Sequence, residues 1–538
     1  MTARLTRSDY LFWCAAIALL FIQLGNTGMW QSEDRWLEVA REMLHSGNYL
    51  RPTVNNVLYF DKPLLGYWLV VACSFITGLN EWALRLPSAF AALIALWATI
   101  DLARQLWDAQ TARCAGWLLL TSLGFLQWGR LGEADMQNLA ASILAVSWYW
   151  RQRERNTFFG YLIFYLILSI GAQCKGLTAA IVPGFAVLVD LFIARRWRPH
   201  LNPRHVGAAI IGCGIYLLPF VIAPTETHDA HDGLWLVMRE NIVRYIAPFD
   251  HTDPIHTYLI AIPRLLLPWS IIFVFALLAG FRHRWRNAAH ASWLLTTFLL
   301  IFVFFTASGS RRYYYILPIL PYCTLITAAY LQTVRAQLAL RITAVLLILV
   351  SVLQITLLFA FEHVNRRSGG ALPIDFQFAS AGIGALALLA MALLYFTQRD
   401  NNHRLFISCV AGALLLFGGY FLKQQLILDS IRTEASFARQ LRPIANAHPD
   451  LQIAIFKDKP PAKLLFYANL PPSIKVFRTA IGLQHFMTSS EGPKLILAYR
   501  ADDAALPPIL TEQAPAVVEQ QHAWEKSNKD KLRAWLLH

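Results

Sequence analysis

The chain has 538 residues, of which 56% are hydrophobic, 13% aromatic and only 15% charged, with a mean hydropathy of +0.43. That composition excludes a soluble protein that hides its apolar side chains in one core. The net charge of +14 comes from Lys and Arg in short clusters between apolar runs, a pattern of membrane topology and anionic-lipid contact rather than of a nucleic-acid surface.

Apolar runs of spanning length recur from Leu11 to Leu422, so the chain reads as a polytopic α-helical membrane protein. The first, Leu11 to Gly28, follows Arg4 and Arg7 as a signal peptide would. It lacks a small-residue cleavage site and leads into further spans, so it reads as a retained helix. The loop after it, "WQSEDRWLEVAREMLHSGNYLRP", repeats Leu37, Ala40, Met43 and Leu44 at helical spacing. This predicts a short amphipathic helix over Asp34 to His45, lying on the membrane surface and stopped near Gly47. Glu33, Asp34 and Arg35 then stand at the mouth of the bundle, although such acids also read as a solvated helix start. Next comes "YFDKPLLGYW", which sets Asp61 and Lys62 at the lip of an apolar run with Pro63 directly behind.

Basic clusters at Arg4 and Arg7, Arg151 to Arg155, Arg195 to Arg204, Arg282 to Arg286, Arg335 to Arg341 and Arg399 to Arg404 are predicted to face the cytoplasm. Between Arg7 and Arg151 the crossings must then be even in number, yet five apolar runs lie there: 11–29, 63–79, 83–103, 113–129 and 136–150. The 63–79 run is short, begins with Pro63 and contains Gly66 and Gly78, so it predicts a juxtamembrane or re-entrant helix. Spans near 157–173, 176–194, 206–223, 257–280, 291–307, 313–332, 342–361, 377–397 and 405–422 complete about 13 crossings. An odd number starting inside puts the tail outside. The expected division is a transmembrane domain, 1–422, with juxtamembrane helices in the 30–80 region, and a soluble periplasmic domain, 423–538. In that tail the β-like runs "LQIAIF" and "KLILAY" around a helical stretch, Ala435 to Arg442, predict a small α/β unit.

The same frame gathers four polar segments on the outer face: Trp30–Lys62, Gly129–Asp135, Pro224–His256 and Ser308–Tyr313. "GRLGEADMQN" places Glu133 and Asp135 just before a span, where carboxylates are costly and have a partner or a task; N-capping by Asp135 is the plain alternative. "MRENIVRYIAPFDHTDPIHTY" adds Arg239 and Arg244, and "SGSRRYYYILPILPY" adds Arg311 and Arg312. Singly these cations read as snorkelling to headgroups; together with Lys62 they form a clamp for a pyrophosphate or a lipid-linked phosphate. His228 and His231 are spaced as a metal pair but lack a third ligand. The seven cysteines lie singly, predicting neither a disulfide framework nor a metal pair.

The ordered succession "SEDRWLEVAREML", "LYFDKPLLGYW", "EWALRLPSAF", "ADMQNLAASILA", "CKGLTAAIVPGF", "NIVRY", "LLLPW" and "SRRYYYILPILP" resembles the bacterial branch of the protein O-mannosyltransferase superfamily. Within it the likeness is nearest to lipid A aminoarabinose transferase-like proteins, and it runs from about residue 10 to about residue 330. The resemblance implies the C-type glycosyltransferase fold and transfer of a sugar from a polyprenyl-phosphate carrier at the periplasmic face of a bacterial inner membrane, with the N-terminus cytoplasmic. It implies that Lys62 holds the carrier phosphate, Asp61 orients it or meets sugar hydroxyls, and Tyr59 lines the cavity. One departure stands out: the family carries Asp-Glu two and three residues before the first-loop Arg, and aligning on Arg35 leaves Ser32 where that Asp would stand, with Glu33 kept and Asp34 following.

The expected reaction is displacement at the anomeric carbon. Glu33, Asp34 and Asp135 are the catalytic candidates, with Glu33 or Asp34 acting as base if the acceptor is a hydroxyl. Arg35, Lys62, Arg244 and Arg312 are candidates to stabilise the departing phosphate. A divalent metal is compatible but not required, since these cations can supply its charge. The expected partners are the lipid-linked donor, membrane lipids and a lipid A-like glycolipid acceptor, with no nucleic acid. A protein Ser or Thr acceptor is the first alternative. A lipid or sugar transporter is the second, and it lacks the mid-membrane charges and repeats that it should show.

Overall fold

The computed structural model describes residues 6–537 apart from 31, 223–234, 236–237, 249, 283–289, 334, 368–371, 398–400, 433, 490–491, 511–514 and 521–530. His228, His231, Arg4, Arg284, Arg286 and Arg399 therefore lie outside the described residues. Helix α1 (Arg7–Phe21) opens with a reciprocal cap between Thr6 and Asp9. Helix α2 (Glu33–Ser46) ends where Gly47 adopts φ 70°, a left-handed turn that glycine takes without strain. A hairpin, β1 (Thr53–Val54) and β2 (Val57–Leu58), follows, with Asn55 and Asn56 both left-handed at its tip.

Helix α3 (Leu64–Thr77) has 14 residues, about 21 Å of rise, less than a hydrocarbon core. It packs on α2 and on α4 (Glu81–Leu106), which Asn80 caps through bonds from the Trp82 and Ala83 amides. Helix α4 packs along α7 (Asp135–Gln152), and both are rich in small buried residues, Ala89, Ala92, Ala95 and Ala98 on α4 and Ala140 and Ala145 on α7, of the kind that lets helices approach closely. Helices α8 (Phe158–Cys174), α9 (Thr178–Ile193) and α10 (Pro203–Ile222) continue the bundle.

Two expected spans are broken. The 113–129 run divides into α5 (Ala109–Leu120) and α6 (Leu123–Gly129), and the 257–280 run divides into Thr257–Leu266 and Ser270–Phe281, which meet at 117°. Thr121 and Ser122 turn their hydroxyls back to the carbonyls of Trp117 and Leu118, while Pro268 supplies no amide to carry its helix on. The two breaks satisfy each other. The Leu123 amide donates to the Leu267 carbonyl at 2.9 Å, and Trp269 Nε1 donates to Thr121 Oγ1 at 3.0 Å. Irregular backbone inside a membrane protein needs such partners.

Among the described residues five helices are long and apolar enough to cross a membrane, or six with the bent pair taken as one span; Phe158–Cys174, Thr178–Ile193, Ala291–Ala307 and Leu317–Leu331 are apolar but shorter. The last long helix runs through a π-helical turn, Tyr420–Gln424, to Ser430. All seven cysteines are free.

Beyond it a five-stranded sheet forms in the order β4-β3-β5-β7-β6, from β3 (Gln452–Phe456), β4 (Lys475–Phe477), β5 (Lys494–Tyr499), β6 (Val518–Glu519) and β7 (Leu532–Leu537). β4, β3 and β5 are parallel, and β7 runs antiparallel to both β5 and β6. Strand alternation divides the core in two. Ile453, Ile455, Leu495 and Leu497 join one apolar cluster with Trp36, Leu37, Val39 and Met43 of α2 and with Val70 and Val71 of α3. Ala454, Phe456, Ile496 and Ala498 face a second cluster under the helix Ala480–Ser489. Helix α2 is thus roofed by the C-terminal unit, and its start is not solvated as the acids there could suggest, since Glu33, Glu38 and Glu42 are all buried.

Candidate active site

A cavity of about 310 Å³ opens where α2, the loop before α3, the start of α7, the α8–α9 turn and the 239–251 and 304–318 segments converge. Ser32, Arg35, Tyr59, Asp61, Lys62, Glu133, Asp135, Lys175, Glu240, Arg244 and Asp250 line it.

One wall is a relay. Arg35 donates to the Tyr59 hydroxyl at 2.7 Å, and Tyr59 donates to Asp61 at 2.9 Å, while Arg239 approaches Asp61 at 3.4 Å. Burial alone would raise the Asp61 carboxyl, but Lys62, the Tyr59 hydroxyl and the two arginines outweigh it and hold the pKa below its ordinary value. Lys62 donates to the Asp61 carbonyl at 3.0 Å and stands 4.0 Å from Glu240. Burial, with Arg244 and Lys175 as neighbouring cations, pushes the Lys62 pKa down against the pull of Glu240 and Asp61. Arg244 bonds Asp250 at 2.6 and 2.8 Å and also pairs with Glu240.

The opposite wall carries Asp135, the first residue of α7. It does not cap that helix, whose N-cap is Ala134; its carboxylate is paired with Lys175 instead. The Lys175 ammonium also lies 5.5 and 5.4 Å from the ring centres of Tyr314 and Tyr315. Glu133 accepts from the Ser32 hydroxyl at 2.6 Å, and burial together with the Asp135 charge pushes its carboxyl up to about 7.

The structure gathers Arg35, Tyr59, Asp61, Lys62, Asp135 and Arg244 around the cavity, and it sets three expected residues apart from it. Glu33 is fully buried behind the wall, where its carboxylate receives Arg85 at 2.7 and 2.8 Å and the amides of Trp30 and Gly132 at 2.7 and 2.6 Å. With those donors it is occupied as an ion-pair partner and does not line the cavity. Asp34 is half-buried and turned toward the C-terminal unit, where burial raises its carboxyl against Lys463 and Arg35. Arg312 is exposed and does not line the cavity, although its charge acts on His251.

Lys175 was missed in the sequence, and so was the Ser32–Glu133 bond. The signal for Lys175 was present: "CKG" is a two-residue turn between apolar runs that the charge frame puts on the outer face. Among the described residues no three His, Cys, Asp or Glu side chains are grouped to hold a metal ion, and the carboxylates other than Glu133 that line the cavity are engaged by Arg or Lys.

Fold and site together define a polytopic membrane protein with a cation-rich polar cavity among its helices and loops and an appended mixed-sheet unit. Residues 61–222 match the dolichyl-phosphate-mannose-protein mannosyltransferase family model. The chain is 29% identical over 318 residues to undecaprenyl phosphate-alpha-4-amino-4-deoxy-L-arabinose arabinosyl transferase 1 of Pseudomonas fluorescens, spanning 57% of this chain and about half, 54%, of that protein. It is 28% identical over 455 residues to the corresponding transferase of Enterobacter sp., spanning 79% of each. The crystal structure of ArnT from Cupriavidus metallidurans bound to undecaprenyl phosphate superposes with a TM-score of 0.75 over 98% of both chains at 18% identity, a likeness of fold. The chain is therefore similar, in sequence and in fold, to the lipid A aminoarabinose transferase-like proteins of the protein O-mannosyltransferase superfamily.

Proposed function

We propose that the chain is a glycosyltransferase that moves a sugar, of the pentose class its relatives' names describe, from undecaprenyl phosphate to lipid A or another envelope glycolipid. The observation that carries this reading is the convergence of Lys62, Lys175 and Arg244 on one cavity, close enough that Arg244 and Lys175 disfavour the Lys62 charge. An anionic phosphate relieves that repulsion, and it does so most strongly when the sugar departs and a second negative charge develops on it. Glu240 occupies the position between Lys62 and Arg244 that a phosphate oxygen would take. Asp135 holds Lys175, and the Arg35–Tyr59–Asp61 relay presents polar groups to sugar hydroxyls.

Residues 28–55 touch residues 429–474, and these contacts support a first loop and a C-terminal unit on one side of the membrane. This supports an even number of crossings between them, as in the frame of about 13 spans with a cytoplasmic N-terminus, a transmembrane domain over 1–422 and a periplasmic unit over 423–538 in a bacterial inner membrane.

The test is mass spectrometry of lipid A, core glycolipid and envelope proteins from cells with the wild-type chain, a deletion, Lys62→Ala or Asp135→Asn. A sugar mass lost from the glycolipid fraction in the deletion and in both variants is the expected result. Loss from proteins instead makes a protein the acceptor, and no difference in any fraction overturns the reading.

A further inference from the structure

We infer that Glu240 is the anion that fills the carrier-phosphate site between turnovers: its carboxylate competes with the phosphate for Lys62 and Arg244, and its return to them releases the spent carrier. The inference rests on the transferase reading above and adds to it a residue for product release.

Glu240 belongs to a π-helical turn, Arg239–Val243, a rare geometry that is frequent at functional sites. Three cations close on its carboxylate. One oxygen receives Arg239, from Nε at 3.0 Å and Nη2 at 2.9 Å; the other pairs with Arg244 and stands 4.0 Å from the Lys62 ammonium. A phosphate entering between Lys62 and Arg244 therefore meets a carboxylate already there, and two like charges set side by side in that space are costly.

The cations do not depend on Glu240 to keep their places. Arg244 also holds Asp250 at 2.6 and 2.8 Å, Lys62 holds the Asp61 carbonyl at 3.0 Å, and Arg239 reaches the Asp61 carboxylate at 3.4 Å. The turn itself is tied at both ends. Asn241 accepts from the Leu177 amide at 2.8 Å, and the Tyr245 carbonyl accepts from the Gly309 amide at 2.8 Å. No residue of Arg239–Ile246 is buried. The Glu240 carboxylate can thus leave by rotation of its own side chain, while the cations and the main chain stay where they are.

Charge gives the exchange its use. The sugar-bearing carrier is a phosphodiester with a single negative charge, whereas the freed carrier is a monoester that carries up to about two near neutrality. Lys62, Lys175 and Arg244 attract the second more strongly than the first, so a site built of cations alone would stay occupied by its own product. A carboxylate tethered beside them opposes that retention at every turnover, as a competitor of high effective concentration.

The experiment titrates the purified full chain in detergent with undecaprenyl phosphate and reads the bound fraction by native mass spectrometry, for wild type, Glu240→Gln, Asp250→Asn and Lys62→Ala. Lys62→Ala is expected to bind about tenfold more weakly than wild type. Glu240→Gln is expected to bind about tenfold more tightly, the gain from removing a competitor that fills the site about nine-tenths of the time. Asp250→Asn removes an equal charge from the same arginine and is expected to tighten binding less.

Glu240→Gln binding within about threefold of wild type, or weaker than wild type, overturns the inference, the latter by making the carboxylate a support for its cations. An equal gain in Asp250→Asn also overturns it, since the effect is then one of net charge. So does a Glu240→Gln chain that fails to accumulate, because a displaceable carboxylate is not one on which the fold depends. These outcomes leave the transferase reading standing. A wild-type chain that binds undecaprenyl phosphate no better than Lys62→Ala overturns the phosphate site itself, and the inference with it.

Discussion

At the scale of single residues, Glu33 and Asp61 were both expected at the site, and Glu33 is buried behind the cavity wall while Asp61 lines the cavity. Glu33 was legible as a functional acid because it stands in a charged loop before an apolar run, but its charge is spent on Arg85, whose remaining donors reach the carbonyls of Leu24, Thr27 and Gly28. Arg85 lies in "EWALRLPSAF", where it looked like one more span-edge cation, and no local pattern links it to a residue 52 positions upstream. Gly132 closes this corner: a Cβ there would fall 2.3 Å from Leu84 Cγ, so the loop can approach only as glycine. Glu33→Ala is expected to strand the Arg85 guanidinium and cost about 3–5 kcal/mol, seen as a large fall in Tm of the detergent-solubilised chain. A loss of transfer with Tm unchanged would instead return Glu33 to a chemical role. Asp61 and Lys62 were legible, by contrast, because a proline-backed charge pair at the lip of an apolar run has few structural explanations.

At the scale of elements, helix α2 was readable from its 3.6-residue apolar repeat and its closing glycine. The roof over it was not readable, since amphipathicity shows that a face will be covered but not by what. The hairpin tip shows how the roof is fastened. Asn55 donates from its side chain to the Ile474 carbonyl at 3.0 Å and accepts from the Ile474 amide at 2.8 Å, while Glu42 of α2 holds the Asn55 and Asn56 amides at 2.6 and 3.2 Å. Asn55→Ala loses both side-chain bonds at a φ of 56° that alanine disfavours, and is expected to cost about 1–3 kcal/mol. Asn55→Gly, which keeps the backbone, should cost less, and thermal unfolding of the two variants side by side measures the difference. The broken spans were illegible for a similar reason: each break is tolerable only because the other lies against it, and the two are about 145 residues apart in the chain, beyond the window of any hydropathy reading.

At the scale of the whole molecule, the basic clusters and apolar runs conveyed a polytopic bundle with an appended α/β unit, and the strands "LQIAIF" and "KLILAY" fall where β3 and β5 form. The contact between the first loop and the end of the last long helix is the part that geometry adds. Gly28 bonds Asp429 at 2.8 Å, Met29 bonds the Tyr467 hydroxyl at 2.9 Å, and Arg432 lies 3.8 Å over the Trp30 ring, so the loop after α1 is held against the end of the last long helix. Alkaline phosphatase fused after His538 is expected to be active and a fused green fluorescent protein dark. The reverse pattern would turn the whole frame over.

The docking of α2 under the C-terminal sheet also governs how the protein is made. Ser32, Arg35 and the segment that carries Lys62 emerge from the ribosome near the start of synthesis, whereas the strands that bury α2 are among the last residues translated. Through most of translation Trp36, Leu37, Val39 and Met43 therefore have α3 beside them but not the strands that complete their cover. A chain truncated before β3 is expected to keep the helices that carry these cations while α2 lacks its roof, and under the proposed function it is expected to transfer no sugar.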